Sequence, residues 1–88
     1  MSYDFGLTNE AEDDLLKISL NHSYISKSHL LALFSDFDKT FENLTLFPNL
    51  GKDFNNEKEI YCRNYRILYE FENNFINILS IKHSKQNY

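Results

Sequence analysis

Leu30, Phe34, Phe37, Phe41 and Leu44 recur at steps of four, three, four and three. An α-helix places such a series along one side. The helix so marked starts after Ser26, a good cap, and stops before Pro48, which disfavours helical backbone in the residue ahead of it. It runs roughly 20 residues and ~30 Å. A helix with one apolar stripe needs a surface to lie on. In a chain of 88 residues, enough for a single domain over 1–88, that surface must come from the strand-like segments around it.

Three such segments follow the helix, at about 58–63, 65–72 and 75–82. Asn64 offers a turn between the first two, and Glu72-Asn73-Asn74 suits a hairpin between the last two. Pro48-Asn49-Leu50-Gly51 reads as a turn, and the polar stretch 52–57 as a loop. Before the helix, residues 3–7 alternate as a short strand would. Thr8 and Asn9 are both good N-caps, and Asn9 with Glu12 has the spacing of a capping box. A first helix then runs from about Asn9 to Asn21, with Ala11, Leu15 and Ile18 on one face and acids in its first turns, where the helix dipole favours them. Residues 23–26 break that helix. The order is β-α-α-β-β-β. The expected class is α+β, a small antiparallel sheet with two helices packed on one face.

The aromatic fraction of 16% supplies large core side chains and excludes a disordered chain. The formal net charge of −4 excludes a chain-wide basic footprint for nucleic acid. The charge is uneven: residues 1–57 carry net −6, and residues 58–88 carry net +2. Opposite signs on the two halves can steer a partner to one face, or mark only a solvated acidic helical side. Cys62 is the single cysteine, so no internal disulfide forms. The N-terminal residues have no basic and apolar signal-peptide pattern, and the longest apolar run, 30–34, is too short to span a membrane. The expected location is the cytoplasm.

The candidate chemistry lies in the basic part. Along 65–71, Tyr65, Ile67, Tyr69 and Phe71 point one way, under the helices; Arg66, Leu68 and Glu70 point to the open face. Arg63 comes from the neighbouring strand. His83, Lys85 and Tyr88 follow the last strand on a tail short enough to fold toward that face. Arginine grips phosphate bidentately, histidine titrates near neutrality, and tyrosine stacks on a base. Brought into one concavity, these groups can hold a phosphate and move protons, and so cleave RNA without a metal. The same set serves equally as a protein-binding surface.

Plainer readings stand beside this one. Arg66 can pair with Glu70 on its own face. A histidine at a strand end is more often structural than catalytic, and Tyr88 is the final residue. His22 and His29 have no third ligand near them in sequence, so no metal site and no cofactor is expected. Cys62 reads as a buried strand residue. Ile76, Ile78, Leu79 and Ile81 are apolar on both parities, as in a central strand, so alternation does not say which face the last strand presents.

Four segments in order resemble the RelE/ParE toxins of type II toxin-antitoxin systems. They are L-T-N-E-A-E-D-D-L-L-K-I (7–18), F-E-N-L-T-L-F-P-N-L-G-K (41–52), Y-R-I-L-Y-E (65–70) and I-N-I-L-S-I-K-H-S-K (76–85). The resemblance covers nearly the whole chain and implies the same β-α-α-β-β-β order. It implies one of two activities. RelE-like members cleave mRNA on the ribosome with basic and aromatic residues of the open sheet face and tail. ParE-like members poison DNA gyrase and are not nucleases. Arg66 matches the strand arginine that both branches carry. His83 with Lys85 matches the H-x-[RK] ending of ParE-like and plasmid-stabilisation proteins, and Pro48, Gly51 and Lys52 match their P-x-x-G-[RK] turn. His83 and Tyr88 also match tail residues of nuclease members.

The acidic balance departs from the strongly basic nucleases, because binding through phosphate neutralisation needs many cations. The expectation is therefore a ParE-like growth inhibitor acting on gyrase. A RelE-like endonuclease with Arg66, His83, Lys85 and Tyr88 as catalytic residues is the alternative, and a non-toxic binding module is the third reading. Whether the chain is an enzyme turns on that choice. Each toxin branch implies a cognate antitoxin, through which alone operator DNA is contacted. Lys52, Arg63, Arg66, His83 and Lys85 are the residues expected to meet the target or the antitoxin.

Overall fold

The computed structural model describes residues 3–22 and 26–84. The elements are β1 (Asp4–Leu7), α1 (Asn9–His22), α2 (Lys27–Leu46), β2 (Lys52–Phe54), β3 (Glu57–Cys62), β4 (Tyr65–Glu72) and β5 (Phe75–His83). The two helices and the hairpins fall where periodicity and turn chemistry place them. Ser26 caps α2, its hydroxyl accepting the His29 amide at 3.2 Å. The β4–β5 turn uses Asn73 and Asn74 at φ 52° and 65°, a conformation asparagine tolerates better than most side chains.

Two details differ from the sequence reading. Residues 52–57 are not all loop: Lys52–Phe54 pairs antiparallel with β3 through a tight turn at Asn55-Asn56. All three β2 residues are exposed, so this short edge strand has no buried apolar alternation to announce it. The sheet is also mixed rather than purely antiparallel. Its order is β1-β5-β4-β3-β2, and β1 runs parallel to β5 while the other pairs are antiparallel. The α1–α2 hairpin carries the chain from β1 to the far side of the sheet, so β1 and the final strand meet in the same direction.

Both helices cover one face. Leu33, Phe37, Phe41 and Leu44 of α2 and Ala11 and Ile18 of α1 pack with Ile67, Tyr69, Ile76, Ile78 and Ile81 in a single core. The expected stripe is rotated slightly: Leu33 is fully buried, while Leu30 and Phe34 are half-buried at its margin. Thr8 rather than Asn9 caps α1. Its hydroxyl accepts the Ala11 amide at 3.2 Å and donates to the Leu79 carbonyl at 3.0 Å, tying the helix start to β5.

The register of β5 carries one irregularity with consequences for the site. Tyr69 pairs with Ile78, but Leu68 pairs with Ser80, leaving Leu79 as a bulge. One inserted residue flips every side chain beyond it. Ile76, Ile78 and Ile81 therefore all face the helices, although they do not share a parity.

Candidate functional site

The bulge decides where the candidate residues go. Beyond Leu79 the register matches Arg66 with Lys82 and Tyr65 with His83. Tyr65 lies under α2, its ring edge-on to Phe37 at 5.5 Å. His83 shares that side, with its ring 5.5 Å from Tyr65. Arg66 is on the helix-free face. Arg66 and His83 are thus on opposite sides of the sheet. Lys85 and Tyr88 lie outside the described residues.

His83 opens onto a cleft of about 600 Å³ between α1, the start of α2, the β3–β4 turn and the end of β5. Its floor is Ile18, Leu33, Tyr65 and Ile81, and its rim carries Lys17, His29, Arg63, Lys82 and His83. Arg63 sits in the turn at φ 55° and pairs with Asp36 of α2 at 2.6 Å. Lys82 reaches Asp14 at 2.6 Å and Glu10 at 3.5 Å. The hydrogen bond to Asp14, with smaller help from the Glu10 charge, raises the Lys82 ammonium above its ordinary pKa against a smaller opposing effect of burial. Burial also pushes the Tyr65 hydroxyl up. The cleft therefore presents basic side chains over an apolar floor: Lys17 is exposed, while Arg63 and Lys82 are already met by Asp36 and by Asp14 and Glu10.

The helix-free face has a different character. By register and alternation it carries Lys52 and Phe54 of β2, Glu57, Glu59 and Tyr61 of β3, and Arg66, Leu68 and Glu70 of β4. Arg66 is only 8% exposed. Its Nε donates to Glu59 at 2.6 Å, and its guanidinium lies 4.1 Å from the centre of the Phe54 ring. The pairing expected with Glu70 is made by Glu59 on the adjacent strand instead. Lys52 is exposed on the edge strand, distant in topology from the β5 end that holds His83.

Sequence reasoning did not single out Asp14, Glu59, Phe54 or Lys82. Asp14 had a signal: it falls three residues after Ala11 and four before Ile18, inside the buried stripe of α1. Phe54 had none, because its position depends on a strand invisible to alternation.

Residues 6–88 match the model of the ParE toxin of type II toxin-antitoxin systems, parDE. No curated protein matches the chain significantly. Among solved structures, the chromosomal ParDE system from P. aeruginosa superposes with a TM-score of 0.80 at 16% identity, over 96% of this chain and 98% of that one. The toxin-antitoxin complex RelBE2 from Mycobacterium tuberculosis follows with a TM-score of 0.69 at 23% identity, over 94% and 99%. The isolated E. coli RelE toxin gives 0.58 at 13% identity, over 98% and 88%. At these identities the superpositions speak for the fold, and the family match spans nearly all of the sequence. The chain belongs to the ParE toxin family of type II toxin-antitoxin systems.

Proposed function

We propose that this toxin arrests growth by acting on DNA gyrase as an inhibitory protein partner rather than as a nuclease. The observation that carries the reading is the enclosure of Arg66. The arginine that a RelE-like nuclease would aim at phosphate is bonded to Glu59 and covered by Phe54. Glu57 and Glu70 add like charge for RNA to meet on the same face. His83, another of the catalytic candidates, stands across the sheet, and Lys85 and Tyr88 lie outside the described residues.

Purified gyrase tests this directly. The protein is expected to inhibit supercoiling or to trap cleaved DNA. Full supercoiling at saturating protein, with in-frame mRNA cleavage on induction, would replace this reading with the ribosomal one.

A cognate antitoxin completes the proposal, as in the ParDE and RelBE2 relatives, whose structures are of toxin-antitoxin systems. Operator DNA is then met only through that antitoxin. This cleft is the proposed dock for an amphipathic antitoxin segment whose acids meet Lys17, with Arg63 and His83 also at its rim and Ile18, Leu33 and Ile81 as its floor. Lys17→Glu, at an exposed rim position, is expected to weaken the complex about tenfold without unfolding the toxin. Unchanged affinity would move the dock elsewhere.

A further inference from the structure

The helix-free face holds an arginine in a strand flanked by open sheet, a position from which a guanidinium could bind a phosphodiester. Among the described residues, three features work against that ligand. The first is Glu59: its carboxylate accepts from Arg66 Nε at 2.6 Å, with side-chain exposures of only 10% for Arg66 and 18% for Glu59. A charge-assisted bond so far withdrawn from water resists exchange for an external anion. The second is Phe54, whose ring lies 4.1 Å from the guanidinium carbon and covers a face of it. Phe54 reaches this position from β2, across β3. The third is Lys82. It is the cross-strand neighbour of Arg66, yet its ammonium is drawn to Asp14 and Glu10 at the edge of α1. The cation nearest Arg66 across the strands is therefore drawn off this face, and Lys52 remains exposed at its far edge.

We propose that Glu59 and Phe54 are specificity determinants of this toxin: they occupy Arg66 and close the helix-free face to the phosphates of single-stranded RNA. The inference rests on the reading that this face takes no RNA in the native protein, and it assigns the residues responsible. β2 thus acts as a fixed cover, and the family's strand arginine is retained as an internal cross-link between β2, β3 and β4.

The test is binding of a fluorescent single-stranded RNA, followed by anisotropy over a range of salt concentrations. Phe54→Ala/Glu59→Gln is expected to bind about five- to tenfold tighter than the native protein, as one gained charge-assisted phosphate contact allows. Its log K against log salt slope should steepen by about 0.7, the value for one added phosphate contact on a single strand. Adding Arg66→Ala should abolish both changes. Glu70→Gln removes one charge from an exposed position of the same face and should leave the slope unchanged.

An unchanged affinity in the double variant overturns the proposal. So does an equal gain in Glu70→Gln, or a gain that survives Arg66→Ala. Thermal melts establish that each variant is folded. Should the double variant not fold, Glu59→Gln alone decides: it is nearly isosteric, removes the charge that holds Arg66 and leaves Phe54 in place. A smaller Arg66-dependent gain supports the proposal, and no gain overturns it. Gyrase supercoiling with the native protein is read separately. Failure there would sink the gyrase reading without altering the RNA comparison, and a null RNA result leaves the gyrase result standing.

Discussion

The carboxylate of Asp14 takes the place of a neighbouring strand for Ile81. Its Oδ2 accepts the Ile81 amide at 2.9 Å, and its Oδ1 accepts from Lys82 Nζ at 2.6 Å. β1 ends at Leu7, so β5 beyond Ile78 has no strand on that edge. The Thr8 hydroxyl satisfies Leu79, and Asp14 satisfies Ile81. A buried amide and a half-buried ammonium share one acceptor group.

Asp14→Ala should therefore destabilise the fold by about 3 kcal/mol, since it orphans a buried N–H and removes the partner of Lys82. Asp14→Asn keeps an acceptor for the amide and should cost about half as much. Urea unfolding followed by circular dichroism measures both. A loss below ~0.5 kcal/mol for the alanine variant would mean that water replaces the carboxylate.

Stability should fall on the alkaline side. Lys82, Tyr65 and Tyr69 all have pKa values raised above their ordinary 10.5, 10.0 and 10.0. A group whose pKa is higher folded than unfolded binds its proton more tightly in the native state. Its contribution is complete below the unfolded value and disappears as pH rises through the folded value. Melting temperature should hold to about pH 10 and then drop. In Asp14→Asn the Lys82 part of that drop should shrink, because its largest cause is gone. A drop of unchanged size would assign the alkaline loss to the tyrosines alone.

Gly51 and Tyr69 form a second contact of this kind. The Gly51 amide donates to the Tyr69 hydroxyl at 2.8 Å, and that hydroxyl donates to the Pro48 carbonyl at 2.8 Å. A Cβ on Gly51 would lie 2.5 Å from the Glu59 carbonyl oxygen and 2.8 Å from the Tyr69 ring. Gly51→Ala should cost about 2–3 kcal/mol through forced displacement. Tyr69→Phe should cost about 1–2 kcal/mol by leaving two backbone groups without their bond. The double variant should cost less than the two together, since both break the same loop contact; strict additivity in denaturant melts would argue against the coupling.

The β4–β5 turn invites a stabilising change. Asn74 holds φ at 65°, where glycine meets no penalty from a side chain. Asn74→Gly creates the favoured Asn-Gly pair and should raise stability by up to ~0.5 kcal/mol, seen as a small rise in melting temperature. A fall would show that the Asn74 side chain contributes more than its backbone strain removes.

All of the elements but β2 were legible in the sequence. The α2 stripe, the Ser26 cap, the Pro48 stop and the asparagine turns each act over a few residues, and local sterics and periodicity specify them whatever they later pack against. The family was legible for a related reason: the ordered segments that resemble it include those same structural signals. Gly51 and Tyr69, read as parts of two separate motifs, prove to hold each other.

The arrangement of the candidate site was decided by the tertiary structure. Alternation could not locate the faces of β5, because one bulge at Leu79 reverses every side chain after it, and the residues around it are apolar on both sides. That reversal sends His83 under the helices and leaves Arg66 on the other face. It could not find β2 either, since an exposed edge strand is held by backbone bonds that any sequence can make. Residue type and local pattern determined which groups this chain owns and which elements carry them. Register and strand pairing, which depend on contacts between residues far apart in the chain, determined that its strand arginine is enclosed and its histidine stands elsewhere.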